Sequence, residues 1–218
     1  MPVPFRLPRF YPILDTSWLG EREIAVIAAA EALLEAGVKI VQYRHKEPWL
    51  QTHFDQAKRI AGLCHEIGVL FVMNDRADYA RLLRAALHIG QTDLPPMAAR
   101  RVVSDEVVGL STHNEIQLTR GHEEPVEYLS LGPIFPTKSK ERPDPTVGVE
   151  GIETLRPLTT KPLVVIGGIT MENASGVLQA GADSVAVISG LLAGTNGGRN
   201  MRRRAEEWMR TLAQFSGR

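Results

Sequence analysis

Absences narrow this chain first. Of 218 residues only Cys64 is a cysteine, so no internal disulfide is available, which is compatible with a reducing cytosol. Cys64 falls in a helical stretch, residues 54–67, where a free thiol packs as a small hydrophobe rather than doing chemistry. Nowhere do about 18 apolar residues run uninterrupted, as a membrane-spanning helix requires. The opening Met1-Pro2-Val3-Pro4-Phe5-Arg6 has no apolar signal core, and the expected location is the cytoplasm. Excess charge is missing too. Lys+Arg and Asp+Glu both number 25, so no global field gathers nucleic acid or an anionic membrane, and an anionic ligand must be held by local groups. The basic run Arg202-Arg203-Arg204 sits beside Glu206 and Glu207 and reads as a solvated helix face. No Gly-rich dinucleotide fingerprint follows the first apolar run, which counts against an open dinucleotide-binding sheet. His88 lacks a partner His or Cys at metal-ligand spacing and is expected to be structural.

What the chain does have is repetition. Eight short apolar runs lie at residues 10–14, 38–43, 69–73, 86–89, 107–110, 128–131, 162–166 and 184–188. Helix-like stretches separate them, among them residues 23–34 and 49–67, and an amphipathic helix passes through residues 208–215. Val69-Leu70-Phe71-Val72-Met73 is the continuous apolar kind of run expected of a strand buried on both faces. Strand and helix in alternation imply parallel pairing, and eight units of roughly 25 residues fit a closed (β/α)8 barrel. The predicted fold is thus a TIM barrel forming a single domain over residues 1–218, with a short N-terminal extension over about residues 1–9. Two irregular stretches stand out, residues 137–148 and the Gly-rich residues 194–198. The second is read as flexible surface, the first as functional.

Polar residues able to hold phosphate and a hard cation fall just after these runs. Gln42, Arg44 and Lys46 alternate, so in an extended segment all three project to one side. The Arg fork suits phosphate oxygens, Lys adds a point charge, and the Gln amide offers a donor and an acceptor to a heterocycle edge. Asn74-Asp75-Arg76 could serve as a plain turn and cap. A second acid, Asp93, follows the next run in His88-Ile89-Gly90-Gln91-Thr92-Asp93. Adjacent barrel strands would bring Asp75 and Asp93 to one ion, and magnesium, held by one or two carboxylates plus substrate phosphate and water, suits that pair. Gly132 is followed by Thr137-Lys138-Ser139-Lys140, two hydroxyls and two amines. Ile166-Gly167-Gly168-Ile169 and Ile188-Ser189-Gly190 occupy the seventh and eighth strand ends, where barrels frequently bind phosphate through backbone N–H groups.

Taken in order, Gln42-Tyr43-Arg44-His45-Lys46, Asn74-Asp75-Arg76, Gly90-Gln91-Thr92-Asp93, the segment from Gly132 through Pro136-Thr137-Lys138-Ser139-Lys140, Ile166-Gly167-Gly168-Ile169 and Val187-Ile188-Ser189 resemble the thiamine-phosphate synthase family. Each motif is weak alone; the ordered set is specific. The resemblance implies a TIM barrel that joins a hydroxymethylpyrimidine diphosphate to a thiazole phosphate, releasing pyrophosphate and forming thiamine monophosphate. It implies that Gln42, Arg44, Lys46, Asn74, Ser111 and Lys140 surround the pyrimidine diphosphate, with Tyr43 and His45 inside the same binding segment. Arg44, Lys46, Ser111 and Lys140 would be catalytic. Asp75 and Asp93 would hold Mg2+, and Thr137, Lys138, Ser139, Gly168, Ile188 and Ser189 the thiazole phosphate. The expected partners are two small phosphorylated substrates, with neither nucleic acid nor membrane; a homo-oligomer is left open.

Two departures from the family pattern are visible. His45 stands where the family usually has Glu, and by strand alternation it points away from Arg44 and Lys46. The approach to the fourth strand, Arg84-Ala85-Ala86-Leu87-His88, is about one residue shorter than the family's. Two rival readings exist. A related thiazole tautomerase would need only the thiazole phosphate, with His113 as its proton carrier, but such relatives tend to lack the acids and amines that this chain has. A catalytically silent phosphate-binding regulator would keep Gly168 and Ser189 while losing Asp75 and Asp93, which are present.

Overall fold

The computed structural model describes residues 6–137, 144–191 and 199–215. Eight strands, β1 (Phe10–Asp15), β2 (Ile40–Arg44), β3 (Leu70–Asn74), β4 (Ala86–Ile89), β5 (Val108–Thr112), β6 (Tyr128–Leu131), β7 (Leu163–Ile166) and β8 (Ser184–Val187), pair in parallel with their successors, and β8 closes on β1. The predicted (β/α)8 barrel is present. Around it lie α1 (Thr16–Gly20), α2 (Val26–Glu35), α3 (Gln51–Glu66), α4 (Ala77–Leu83), α5 (Pro96–Val103), α6 (Glu115–Glu123), α7 (Gly148–Leu155), α8 (Ala174–Gln179) and α9 (Arg199–Ala213).

Period-two alternation divides the apolar side chains into two sets. Tyr11, Ile13, Ile40, Val72, Ala86, Tyr128, Val164 and Ala186 fill the barrel interior. Their strand neighbours, such as Leu14, Val41, Phe71, Leu87, Leu129 and Val185, meet the helices in the larger outer core, with Cys64 packed among them as expected. Ahead of β1, Leu7 packs on the inner set, and the Arg9 carbonyl accepts the Val185 N–H at 2.8 Å. The residues before β1 are therefore tied to β8 from Arg9 onward.

Local chemistry explains where the helices differ from the periodicity. The stretch predicted as one helix over residues 23–34 is α2 alone, and a separate short helix, α1, leaves β1 directly. Its N-cap is Asp15, whose carboxylate accepts the Trp18 N–H at 3.0 Å, satisfying an orphan donor of the first turn. α9 begins at Arg199, well ahead of the residues 208–215 that signalled it. Its basic run is the solvated face expected: Arg202 meets Glu206 at 3.0 Å and Arg203 meets Glu207 at 3.6 Å. Among the described residues no helix is long and apolar enough to cross a membrane.

The chain enters β4 through a tight turn at a single residue. Arg84 ends α4 in the left-handed region (φ 50°, ψ 48°), and the Ala85 N–H returns to the Ala80 carbonyl at 2.9 Å, turning the chain within one step. β4 then pairs with Val72 opposite Ala86 and Asn74 opposite His88. His88 faces inward, and the loop carrying Asp93 starts beside the end of β3.

Candidate active site

At the C-terminal mouth of the barrel the strand ends enclose a cavity of about 360 Å³, the position where barrel enzymes place their chemistry. Gln42, Arg44 and Lys46 all line it, as alternation along β2 requires. The intervening Tyr43 and His45, expected within the same binding segment, do not line it. Tyr43 is fully buried in the outer core, donating its hydroxyl to Gln56 Oε1 at 3.2 Å. His45 Nδ1 lies 2.7 Å from Thr16 Oγ1, and its ring packs on His53 at 3.9 Å and on Trp49 at 5.1 Å. Both side chains face the helical layer because their neighbours face the cavity.

Arg44 is held from behind. Its guanidinium donates to Asp15 Oδ2, a carboxylate only 2 % exposed that also caps α1. Charge-assisted bonding of this kind fixes the fork toward the cavity. The acids expected at the metal do come together. Asp75 leaves β3 at φ 63°, a left-handed conformation that Asp tolerates, with its N–H on the His88 carbonyl at 2.8 Å. Lys46 Nζ lies 2.5 Å from Asp75 Oδ2. Asp93 Oδ2 accepts the Gly90 N–H at 2.7 Å, and the Asp75 and Asp93 side chains reach one another. Burial, reinforced by Asp93, raises the Asp75 carboxyl above its ordinary range against the opposing pull of Lys46. Beside them Asn74, 5 % exposed, carries an amide nitrogen, Nδ2, without a hydrogen-bond partner. A buried donor left open at a cavity wall costs free energy until a ligand accepts from it.

The floor holds residues that periodicity alone did not single out. Gln42 Nε2 donates to the Tyr11 hydroxyl at 2.8 Å, that hydroxyl lies 2.9 Å from the Tyr128 hydroxyl, Tyr128 lies 2.9 Å from His88 Nδ1, and His88 Nε2 lies 2.9 Å from Ser111 Oγ. His88 is thus bonded on both ring nitrogens. Burial, with the charges of Lys46 and Arg44, depresses its pKa to about 4, so it is neutral near pH 7. An unfolded imidazole takes its proton near pH 6.5 and the folded one only near pH 4, so between these values the unfolded state binds more protons. Stability from this group is full above about pH 6.5 and falls by about 3 kcal/mol as pH drops toward 4. Urea unfolding at pH 7 and pH 4.5 checks this, and His88→Gln should flatten the slope.

Across the cavity stands the glycine turn after β7. Gly167 and Gly168 have φ of 101° and 63°, on the left-handed side that glycine adopts most readily. A Cβ on Gly168 would stand 2.6 Å from the Pro136 carbonyl oxygen, and one on Gly167 2.6 Å from Pro133 Cβ. The loop after β6 is laid over this turn by Ile134 N–H to Ile166 O at 2.9 Å and Phe135 N–H to Gly167 O at 3.0 Å, which brings Thr137 to the cavity rim. Thr137, Gly168, Ile188 and Ser189 all line the cavity, and Ser189 opens a 3-10 turn, Ser189–Leu191. Lys138, Ser139 and Lys140 lie outside the described residues, as do residues 194–198. His113, the tautomerase candidate, also lines the cavity, donating Nδ1–H to the Gly132 carbonyl at 2.6 Å with Nε2 3.5 Å from Asp144.

Comparison with known proteins points one way. A family model described as Thiamine monophosphate synthase matches residues 10–191. A thiamine-phosphate synthase of Koribacter versatilis is 44% identical over 212 residues, covering 95% of this chain and 97% of its own. That of Dictyoglomus thermophilum is 38% identical over 173 residues, 78% of this chain and 76% of its own. Among solved structures, a thiamine phosphate pyrophosphorylase from Pyrococcus furiosus superposes with a TM-score of 0.82 at 27% identity, covering 96% of this chain and 97% of its own.

Proposed function

The chain belongs to the thiamine monophosphate synthase family, and from that premise we propose that it is a transferase of thiamine biosynthesis. It condenses 4-amino-2-methyl-5-(diphosphooxymethyl)pyrimidine with 4-methyl-5-(2-phosphoethyl)thiazole, or its carboxylated form, to thiamine monophosphate and pyrophosphate. The observation that carries this reading is one cavity with two differently built anion walls. One wall combines two carboxylates, Arg44, Lys46 and the open Asn74 amide; the other is the Gly167-Gly168 turn with Ser189. A tautomerase needs only the second wall.

The donor set fits magnesium. Among the described residues no group of three or more His, Cys, Asp or Glu is gathered as a complete metal cage. Two neighbouring carboxylates instead suit an ion that takes its remaining oxygens from a diphosphate and water. Asp75 and Asp93 would hold it, and when bound it neutralises charge on the departing pyrophosphate.

The chain's own groups do the rest. Arg44, fixed by Asp15, and Lys46 stabilise the charge that grows on the leaving pyrophosphate more than they stabilise the ground state; Lys140 is assigned the same task. Asn74 Nδ2 donates to a diphosphate oxygen. Substitution is dissociative: the C–O bond breaks, the electron-rich aminopyrimidine delocalises the benzylic-type cation, and the thiazole nitrogen's lone pair forms the new C–N bond. That nitrogen becomes a thiazolium without losing a proton, so no general base is required. Thr137, Lys138, Ser139, Gly168, Ile188 and Ser189 hold the thiazole phosphate so that its nitrogen faces the cation, and such positioning supplies about 7 kcal/mol or more of the barrier reduction. Incubation of the protein with both substrates and magnesium should yield thiamine monophosphate and pyrophosphate in equal amounts. Neither product forming would overturn the reading; isomerisation of a thiazole phosphate alone would favour the tautomerase.

A further inference from the structure

Three buried side chains of the cavity floor, Tyr11, Tyr128 and His88, have no part in the reaction just described. All three are at most 8 % exposed, and burying two phenols and an imidazole in a barrel interior is costly unless each is hydrogen-bonded. They are bonded to one another in a line, with Gln42 at one end and Ser111 at the other, in four links of 2.8 to 2.9 Å. Both end residues line the cavity.

The directions of these links are not independent, because each hydroxyl and the neutral imidazole has one proton to give. Gln42 presents Nε2 to Tyr11, so Tyr11 accepts there and passes its own proton to Tyr128. Tyr128 donates to His88 Nδ1, which leaves the imidazole proton on Nε2, donated to Ser111 Oγ. Ser111 then turns its hydroxyl proton toward the cavity, and Gln42 has its Oε1 left for a ligand. Reversing the Ser111 hydroxyl requires every link to reverse and the Gln42 amide to turn over.

We propose that Tyr11, Tyr128 and His88 are positioning residues that lock Ser111 as a donor and Gln42 Oε1 as an acceptor, and thereby select a 4-aminopyrimidine edge over a 4-oxopyrimidine one. An exocyclic N–H beside a ring nitrogen acceptor matches the locked pair. A carbonyl beside a ring N–H presents the opposite order and matches only after all four links are reversed. The ligand's identity in this inference rests on the synthase reading; the direction of the relay rests on its geometry alone.

Two measurements test it. Nitrogen-15 NMR of the wild-type protein without substrates should place the His88 proton on Nε2, and Tyr128→Phe, which keeps the ring, should remove that preference. A proton found on Nδ1 would overturn the relay whatever the enzyme's substrates are. In turnover, Tyr128→Phe should raise KM for the pyrimidine diphosphate about tenfold, leave KM for the thiazole phosphate within about twofold, and cut the preference for the amino over the oxo analogue about tenfold. Tyr11→Phe should do the same, and the double variant should be no worse than either single, since a chain broken once is broken. An unchanged amino preference, or both KM values rising together, would sink the proposal. Absence of any turnover in the wild type would instead remove the synthase reading, leaving the NMR result to decide on the relay.

Discussion

Asp75→Asn should lower kcat/KM about a thousandfold, and Asp93→Asn should come close to it. The amide keeps the size of the carboxylate, so the fold is spared, but it removes the negative charge that would draw the proposed cation. At Asp75 it also releases Lys46, which is 2.5 Å from Oδ2, to a position no longer set by an ion pair. The two carboxylates reach each other and are proposed to serve one ion, so the double variant should be scarcely worse than the more damaging single. Titrating magnesium against initial rate separates this from a folding defect: the variants should need far more metal for half-maximal rate while their thermal midpoints stay near wild type. Normal turnover with normal magnesium dependence in both single variants would show that these acids are not the metal site.

Gly109→Ala should be the most destabilising single methyl that can be added to the barrel interior. Gly109 on β5 stands directly opposite Tyr128 on β6, and a Cβ there would lie 2.0 Å from Tyr128 Cζ and 2.4 to 2.5 Å from the two Cε atoms. In general a ring's far end can swing away from such an intrusion. This one cannot, because Tyr128 is fully buried and its hydroxyl is bonded toward both Tyr11 and His88. Overpacking of this kind costs about 3 kcal/mol, readable as a shift of the urea midpoint at unchanged slope. Ring carbons, and not the hydroxyl, make the clash, so Tyr128→Phe should fail to rescue Gly109→Ala. Rescue by Tyr128→Phe would mean that the hydroxyl position, and not the ring, is what the glycine accommodates.

The two variants mark how far reading the chain could go. Asp75 and Asp93 were legible as a pair because each follows an apolar run, and consecutive runs in a parallel barrel are neighbours. Gln42, Arg44 and Lys46 were legible because alternation puts them on one side. The same rule separates Tyr43 and His45 from them, although both sit within the motif that carried the resemblance; contiguity in the motif does not mean a shared face. Gly109 gave no warning, since one glycine in a strand marks a close approach without saying whose. His88 read as structural, and it is hydrogen-bonded on both nitrogens, yet its partners Tyr128 and Ser111 are 40 and 23 residues away in sequence.

By itself the sequence determined the barrel, its eight-fold strand count and the mouth at which polar residues gather, because hydrophobic period and parallel pairing are local rules repeated along the chain. Only the tertiary structure decided what stands behind those residues: Asp15 under Arg44, the open Asn74 amide, and the Tyr11, Tyr128 and His88 line across the floor. The Tyr11–Tyr128 and Tyr128–His88 links cross the barrel between strands that are not neighbours, while Asp15 meets Arg44 side chain to side chain at the ends of two paired strands. Their existence depends on the barrel's diameter and on which residues fill its interior, quantities that no window of sequence contains.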